Sequence, residues 1–166
     1  PIVEPDVLME GSHTIDDCFN ITLDIQKKLF IKLIEKDVNL KATILKCNMI
    51  LPSNDGRNSA SSNEIAQKTL DCLSISIPSQ LPGIVLLSGG QSDIDSTKNL
   101  NQISKLNKKN NNITYSYGRA LKNSALKKWG GKKENYKLAQ KIFNHRVKMN
   151  NLAVRGKWNE KKETEF

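Results

Sequence analysis

The stretch "GIVLLSGG", residues 83–90, followed after Gln91 and Ser92 by "DIDSTKNLNQISKLNKK", 93–109, decides the fold. The first piece is a short apolar run that ends in two glycines and reads as a strand. The second reads as a helix. Strand, glycine turn and helix in that order make a βα unit. The same unit recurs on either side. Upstream, "PIVEPDV" (1–7) reads as a strand and "TIDDCFNITLDIQKKLFIKLIEKDV" (14–38) as a helix, with Ile15, Phe19, Leu23, Leu29 and Leu33 at helical spacing. Thr14 is its expected N-cap, with Asp16 and Asp17 in the first turn. "NLKATILKCNMI" (39–50) is a strand, "LPSNDGRNSASS" (51–62) a loop, and "SNEIAQKTLDCLSIS" (62–76) a helix capped by Ser62. Downstream, "NKKNNN" (107–112) is a polar turn and "ITYSYGRA" (113–120) a strand. "ENYKLAQKIFNHRVKMNNLAVRGKW" (134–158) is a long helix.

Strands separated by helices imply a parallel sheet. Four strands are visible, whereas a complete (β/α)₈ barrel typically needs ~250 residues. The chain is therefore either a small open α/β sheet or part of a barrel. The organisation expected is one unit over 1–158 and a charged, disordered tail over 159–166. The opening residues already look like a strand, so the chain is expected to lack an N-terminal portion.

With 166 residues, 37% of them hydrophobic, the chain suits one globular domain. No apolar run approaches the ~20 residues of a membrane span. Three cysteines without a CxxC pair read as reduced thiols of a cytoplasmic protein, not as a disulfide framework or a zinc site. The net charge of +9 comes from scattered lysines, with aromatics at 5% and no nucleic-acid motif. It fits a solvated lysine surface or attraction for an anionic ligand. Trp129 and Trp158 read as packing residues, and His13 and His145 as surface or satisfied structural groups.

One residue conflicts with its surroundings. Lys46 lies in "KATILKCNMI" (41–50), a run expected to be buried on both faces. A buried lysine tends to lose its proton and can then attack a carbonyl. Alternatively, it ends the strand and reaches solvent along its stem. Glu4, Lys46, Ser88 with Gly89, and Gly118 with Arg119 all fall toward the C-terminal ends of successive strands, where parallel α/β folds place their chemistry. Glu4 and Asp6 alternate, so both carboxylates can face one way and pass protons. "SGGQS" before a helix suits a phosphate, and "YGRA" offers a second glycine with an arginine fork. Either segment by itself is also an ordinary loop.

These residues together carry a resemblance. "PIVEPDVL", "LKCNM", "LLSGGQS", "SYGRALKNSALKKWGGKKEN" and "RGKW" resemble the C-terminal part of class I, Schiff-base, fructose-bisphosphate aldolase, a little less than half of it, from residue 1 to about residue 158. The resemblance implies a (β/α)₈ TIM barrel, of which this chain carries about the last four βα units, assembled in the full-length enzyme as a homotetramer. It implies reversible cleavage of fructose 1,6-bisphosphate to dihydroxyacetone phosphate and glyceraldehyde 3-phosphate, in glycolysis, without metal or cofactor. Lys46 matches the Schiff-base lysine, Glu4 the general acid/base and Asp6 a neighbouring acidic position that is normally Glu. Ser88, Gly89, Gly118 and Arg119 match the phosphate site, lined by Leu87 and Ser116.

Three departures follow. Cys47 stands where the family motif LKPNM has proline, which frees φ and restores an N–H. The half that supplies an aspartate and two further lysines is absent. The chain stops at Phe166, where the family ends in tyrosine. The 166-residue chain is accordingly expected to be nearly inactive. The alternative is a truncated, non-catalytic product with a binding or scaffolding role. Cytoskeletal or acidic protein partners are further expectations; nucleic acid and a membrane span are not expected.

Overall fold

The computed structural model describes residues 1–55, 59–108 and 112–164. Parts of the 51–62 loop, the 107–112 turn and the end of the tail lie outside these. Four strands, β1 (Ile2–Val3), β2 (Ile44–Cys47), β3 (Gly83–Leu86) and β4 (Ile113–Tyr115), form one sheet in the order β1-β2-β3-β4. All three pairings are parallel, with Val3 beside Leu45, Leu45 beside Ile84, and Ile84 beside Ile113. A sequential parallel order requires a crossover between each pair of strands. Helix α1 (Ile15–Glu35) supplies the first, α2 (Ser62–Ser76) the second and α3 (Asp93–Leu106) the third. Two helices follow β4, α4 (Arg119–Trp129) and α5 (Tyr136–Val154). Neighbouring helices pack in a row: α1 on α2, α2 on α3, and α3 and α4 on α5.

Helix starts obey their chemistry. Thr14 and Asp17 form a capping box on α1: the Asp17 N–H donates to Thr14 Oγ1 at 3.2 Å, and the Thr14 N–H donates to Asp17 Oδ2 at 2.8 Å. On α2 the cap is Ser61, one residue before the expected Ser62, because its Oγ accepts from the Glu64 N–H. Ser92 caps α3 by the same route through Asp95.

The strands alternate in burial, and this corrects the expectation of a doubly buried β2. Leu45, Cys47, Ile84 and Leu86 face the helices and are buried. Ile44, Lys46, Gly83 and Val85 occupy the other face and are only half-buried. Only one side of the sheet is covered by helices, so the period-2 alternation of side chains decides who is buried. Leu45, Leu86, Leu100, Ile103 and Met149 anchor the core on the covered side. Each contributes about 1.5–3 kcal/mol relative to exposure.

Within the tail, residues Glu160–Thr164 form a 3₁₀ turn. Glu163 accepts from Arg146 Nη1 at 2.5 Å and from Trp158 Nε1 at 2.7 Å, and it lies 3.3 Å from His145 Nε2. Three partners on one carboxylate outweigh the charge of the segment. Trp158 is buried, as a packing residue should be, and its N–H donates to Asn101 Oδ1.

Candidate active site

The open face of the sheet and the ends of its strands build one cleft. Ile2 pairs with Ile44, so the next open-face positions along the two strands are Glu4 and Lys46. Their side chains meet: Lys46 Nζ lies 2.7 Å from Glu4 Oε1. The lysine side chain is 23% exposed and the glutamate 47%. Lys46 is therefore not an isolated amine sealed in a core. It sits at the strand end on the half-open face, its charge offset by a carboxylate that can also take its proton.

The chain after β1 turns across this cleft. The Asn54 N–H donates to the Met9 carbonyl at 2.9 Å, and the Ser53 N–H to the His13 carbonyl at 3.0 Å, tying the loops after β1 and β2 together. The turn after β3 is fixed in the same way. The Leu87 N–H donates to the Cys47 carbonyl, and the Gln91 N–H and side-chain amide both donate to the Ser88 carbonyl. Gly89 (φ 56°) and Gly90 (φ 77°) are both left-handed, a conformation that side-chain-bearing residues avoid. A Cβ at Gly90 would sit 2.7 Å from Asn54 Nδ2, so that side-chain amide would have to shift to admit one. Ser88 is 6% exposed, and its hydroxyl has no hydrogen-bond partner among the described residues.

Beyond β4, the Ser116 N–H donates to the Leu86 carbonyl at 2.8 Å and holds the strand end against β3. Tyr117 is buried, and its hydroxyl donates to the Ser96 carbonyl at 3.0 Å. Burial pushes its phenol well above the ordinary range, so it remains a neutral donor. Gly118 then starts α4 without a side-chain cap, and Arg119 follows it, exposed.

Glu4, Asp6, Lys46, Leu87, Ser88, Gly89, Ser116, Gly118 and Arg119 all line this single cleft of about 400 Å³. The sequence had pointed to each of them. Glu10, Asn54 and Lys122 line it as well and were not singled out. Lys122 was findable as the residue one helical turn after Arg119, had α4 been read as a helix. Asn54 lies in an irregular loop and left no signal. Cys47 points away from the cleft, into the core. Its thiol is pushed up to about 12, chiefly by burial. Among the described residues, no three His, Cys, Asp or Glu side chains are grouped to hold a metal, and no helix is long and apolar enough to cross a membrane.

A parallel α/β sheet covered by helices on one face, with its cleft at the C-terminal ends of the strands, fits the (β/α)-barrel class. Comparison with known proteins identifies the family: the chain belongs to the glycolytic class I fructose-bisphosphate aldolases, whose family model matches residues 1–166. It is 43% identical over 159 residues to a probable class 1 fructose-bisphosphate aldolase of Xylella fastidiosa, covering 95% of this chain and 48% of that protein. It is 43% identical over 157 residues to cytosolic fructose-bisphosphate aldolase 4 of Arabidopsis thaliana, covering 94% of this chain and 40% of that one. Among solved structures it resembles Plasmodium falciparum fructose-bisphosphate aldolase, determined with TRAP and a small-molecule inhibitor. The TM-score is 0.92 at 38% identity, over 96% of this chain and 46% of the other. The chain thus spans less than half the length of these relatives.

Proposed function

We propose that the cleft forms a Schiff base between Lys46 and the ketone of a phosphorylated sugar, and that the reaction is the reversible cleavage of fructose 1,6-bisphosphate. The observation that carries this reading is the 2.7 Å contact between Lys46 Nζ and Glu4 Oε1, in a cleft whose other wall is glycine turns and Arg119. The lysine gives its proton to Glu4 and attacks the second carbon of the sugar. Glu4 then protonates the carbinolamine hydroxyl, water leaves, and an iminium remains. Loss of the proton from the fourth-carbon hydroxyl breaks the bond between the third and fourth carbons. That electron pair moves into the iminium, giving an enamine and free glyceraldehyde 3-phosphate. Protonation of the third carbon and hydrolysis release dihydroxyacetone phosphate and restore Lys46. The iminium is the electron sink, so the scheme calls on no metal. Asp6 stands beside Glu4 as a second proton acceptor. Ser88, Gly89, Gly118 and Arg119 hold the first-carbon phosphate, with Leu87 and Ser116 lining the seat. Family membership supports this assignment, and the same reading includes a cytoplasmic location and a homotetrameric full-length enzyme.

Borohydride reduction in the presence of dihydroxyacetone phosphate tests it. The expected result is a stable adduct mapped by peptide mass to Lys46 and absent from Lys46→Met. An adduct on any other lysine, or none on Lys46, would refute the assignment.

A further inference from the structure

The charges around the cleft are divided between its walls. Glu4, Asp6 and Glu10 come from the segment that begins at β1. Arg119 and Lys122 come from the first turns of α4. The third cation, Lys46, is already paired with Glu4. Arg119 and Lys122 have no hydrogen-bonded or ion-paired carboxylate among the described residues. They stand three apart on a helix, so both side chains leave the same face. That helix begins without a side-chain cap and with no acidic residue in its first turn. Two cations at the positive end of a helix repel its unsatisfied N–H groups unless an anion lies between them. An independent feature points to the same place. The nine-tenths-buried Ser88 lines the cleft with an unpartnered hydroxyl, next to the left-handed Gly89 and Gly90.

We propose that Lys122 is a second cationic anchor for the ligand's phosphate and acts with Arg119 to select a dianionic phosphate monoester over a singly charged or neutral one. The inference rests on the phosphate seat described above and is specific to a residue that seat did not include. Arg119 supplies a planar fork that fixes orientation, whereas Lys122 is a mobile point charge. Lys122 therefore contributes affinity and charge selectivity and does not orient the sugar.

Glycerol phosphate tests this separately from the Schiff-base chemistry, because it has a phosphate monoester but no ketone. Binding to the 166-residue chain is read from the amide resonances of Gly89, Gly90 and Gly118. Lys122→Gln is expected to weaken binding about fivefold at low salt, and Lys122→Arg to restore it. A phosphate monoester loses its second proton near pH 6, so the gap between wild type and Lys122→Gln is expected to narrow from about pH 7.5 to about pH 5. A merely structural role for Lys122 would not produce that pH profile. Equal affinity of Lys122→Gln and wild type would overturn the proposal, as would glycine amides that do not respond to glycerol phosphate in wild type. Normal glycerol phosphate binding without any borohydride-trapped Lys46 would instead refute the Schiff-base reading and leave the Lys122 assignment standing.

Discussion

Lys46 is the residue at which the sequence argued with itself, a charge inside an apolar run, and the conflict marked the site. Its resolution lay in the sheet. One face is covered by helices and the other is half open, so the lysine ends up 23% exposed and bonded to Glu4. No pattern in a single strand reveals which face is covered, which is why the burial of β2 was overestimated. In the proposed mechanism Glu4 receives and returns protons around the carbinolamine. Glu4→Gln is therefore expected to slow iminium formation by about 10²-fold or more, with glycerol phosphate binding unchanged. Rapid borohydride quenching at timed intervals measures this, and an unchanged rate would remove Glu4 from the chemistry. Cys47, the residue after Lys46, illustrates the opposite case, a side chain buried in the core and outside the cleft. Burial raises its thiol from 9.0 to about 12, and that of Cys72 likewise. Since the folded values lie above the unfolded ones, the unfolded chain loses these protons first as pH rises. Stability should therefore be undiminished by these groups below about pH 9 and fall as pH climbs toward 12. Urea midpoints across that range, compared between wild type and Cys47→Ala, check the slope. The variant should lose less stability over the same interval.

At the scale of elements, the βα alternation was legible because each strand is an apolar run and most helices carry a cap and a periodic apolar face. Helix α2 came out at its observed span. Helix α4 did not come out at all. Its sequence, RALKNSALKKW, buries only Ala120 and Ala125, and its lysines read as a charge run instead of a helix face. The strand ends were overextended for a related reason. "PIVEPDV" pairs only at Ile2 and Val3, since the segment leaves the sheet just where it begins to line the cleft. The contacts of the tail left no local signal, because its anchors are single residues on distant elements. Arg146, on α5, bonds Glu163 through Nη1, and through Nη2 reaches the Asp93 carbonyl and Thr97 of α3. Glu163 is only 13% exposed and Arg146 6%. Removing one partner of so enclosed a pair leaves the other uncompensated, so Glu163→Ala should destabilise the chain by about 3 kcal/mol. Trp158 would lose its indole acceptor at the same time. Urea unfolding followed by tryptophan fluorescence measures the loss. A change below about 0.5 kcal/mol, the range of ordinary surface substitutions, would mean that the segment is not docked in solution.

At the scale of the whole molecule, the same open face that lets Lys46 reach the cleft also leaves one side of the sheet without helices. The sheet has β1 and β4 at its edges, each with one row of backbone groups unpaired within the sheet. Ile2, on the open face, is 62% exposed. Such edges favour pairing with other chains. The cleft itself is lined from one arc only, by segments following β1 to β4. Strand count and length left a small open sheet and part of a barrel both open, and the four-unit share of a barrel came with the resemblance. The rest of a barrel wall was not legible, because these 166 residues align with less than half the length of the matched relatives. In the proposed mechanism, phosphate binding and iminium formation draw on the lysine, Glu4 and the glycine turns, all of which line the cleft. Carbon–carbon cleavage needs more: the second phosphate end of the sugar must be held, and the fourth-carbon hydroxyl must meet a base. Loss of a single positioned group at a reacting centre typically lowers turnover 10²–10³-fold. The isolated chain should therefore cleave fructose 1,6-bisphosphate at least about 10³-fold more slowly than a chain of the relatives' full length. It should nonetheless be trapped by borohydride with dihydroxyacetone phosphate. A coupled assay for glyceraldehyde 3-phosphate, run beside the trapping experiment on one preparation, separates the two steps. Trapping without turnover is the expected pair of results. Turnover at the full-length rate would show that the wall built by β1 to β4 suffices for the whole reaction, and that the groups placed opposite it in a closed barrel do not set the rate.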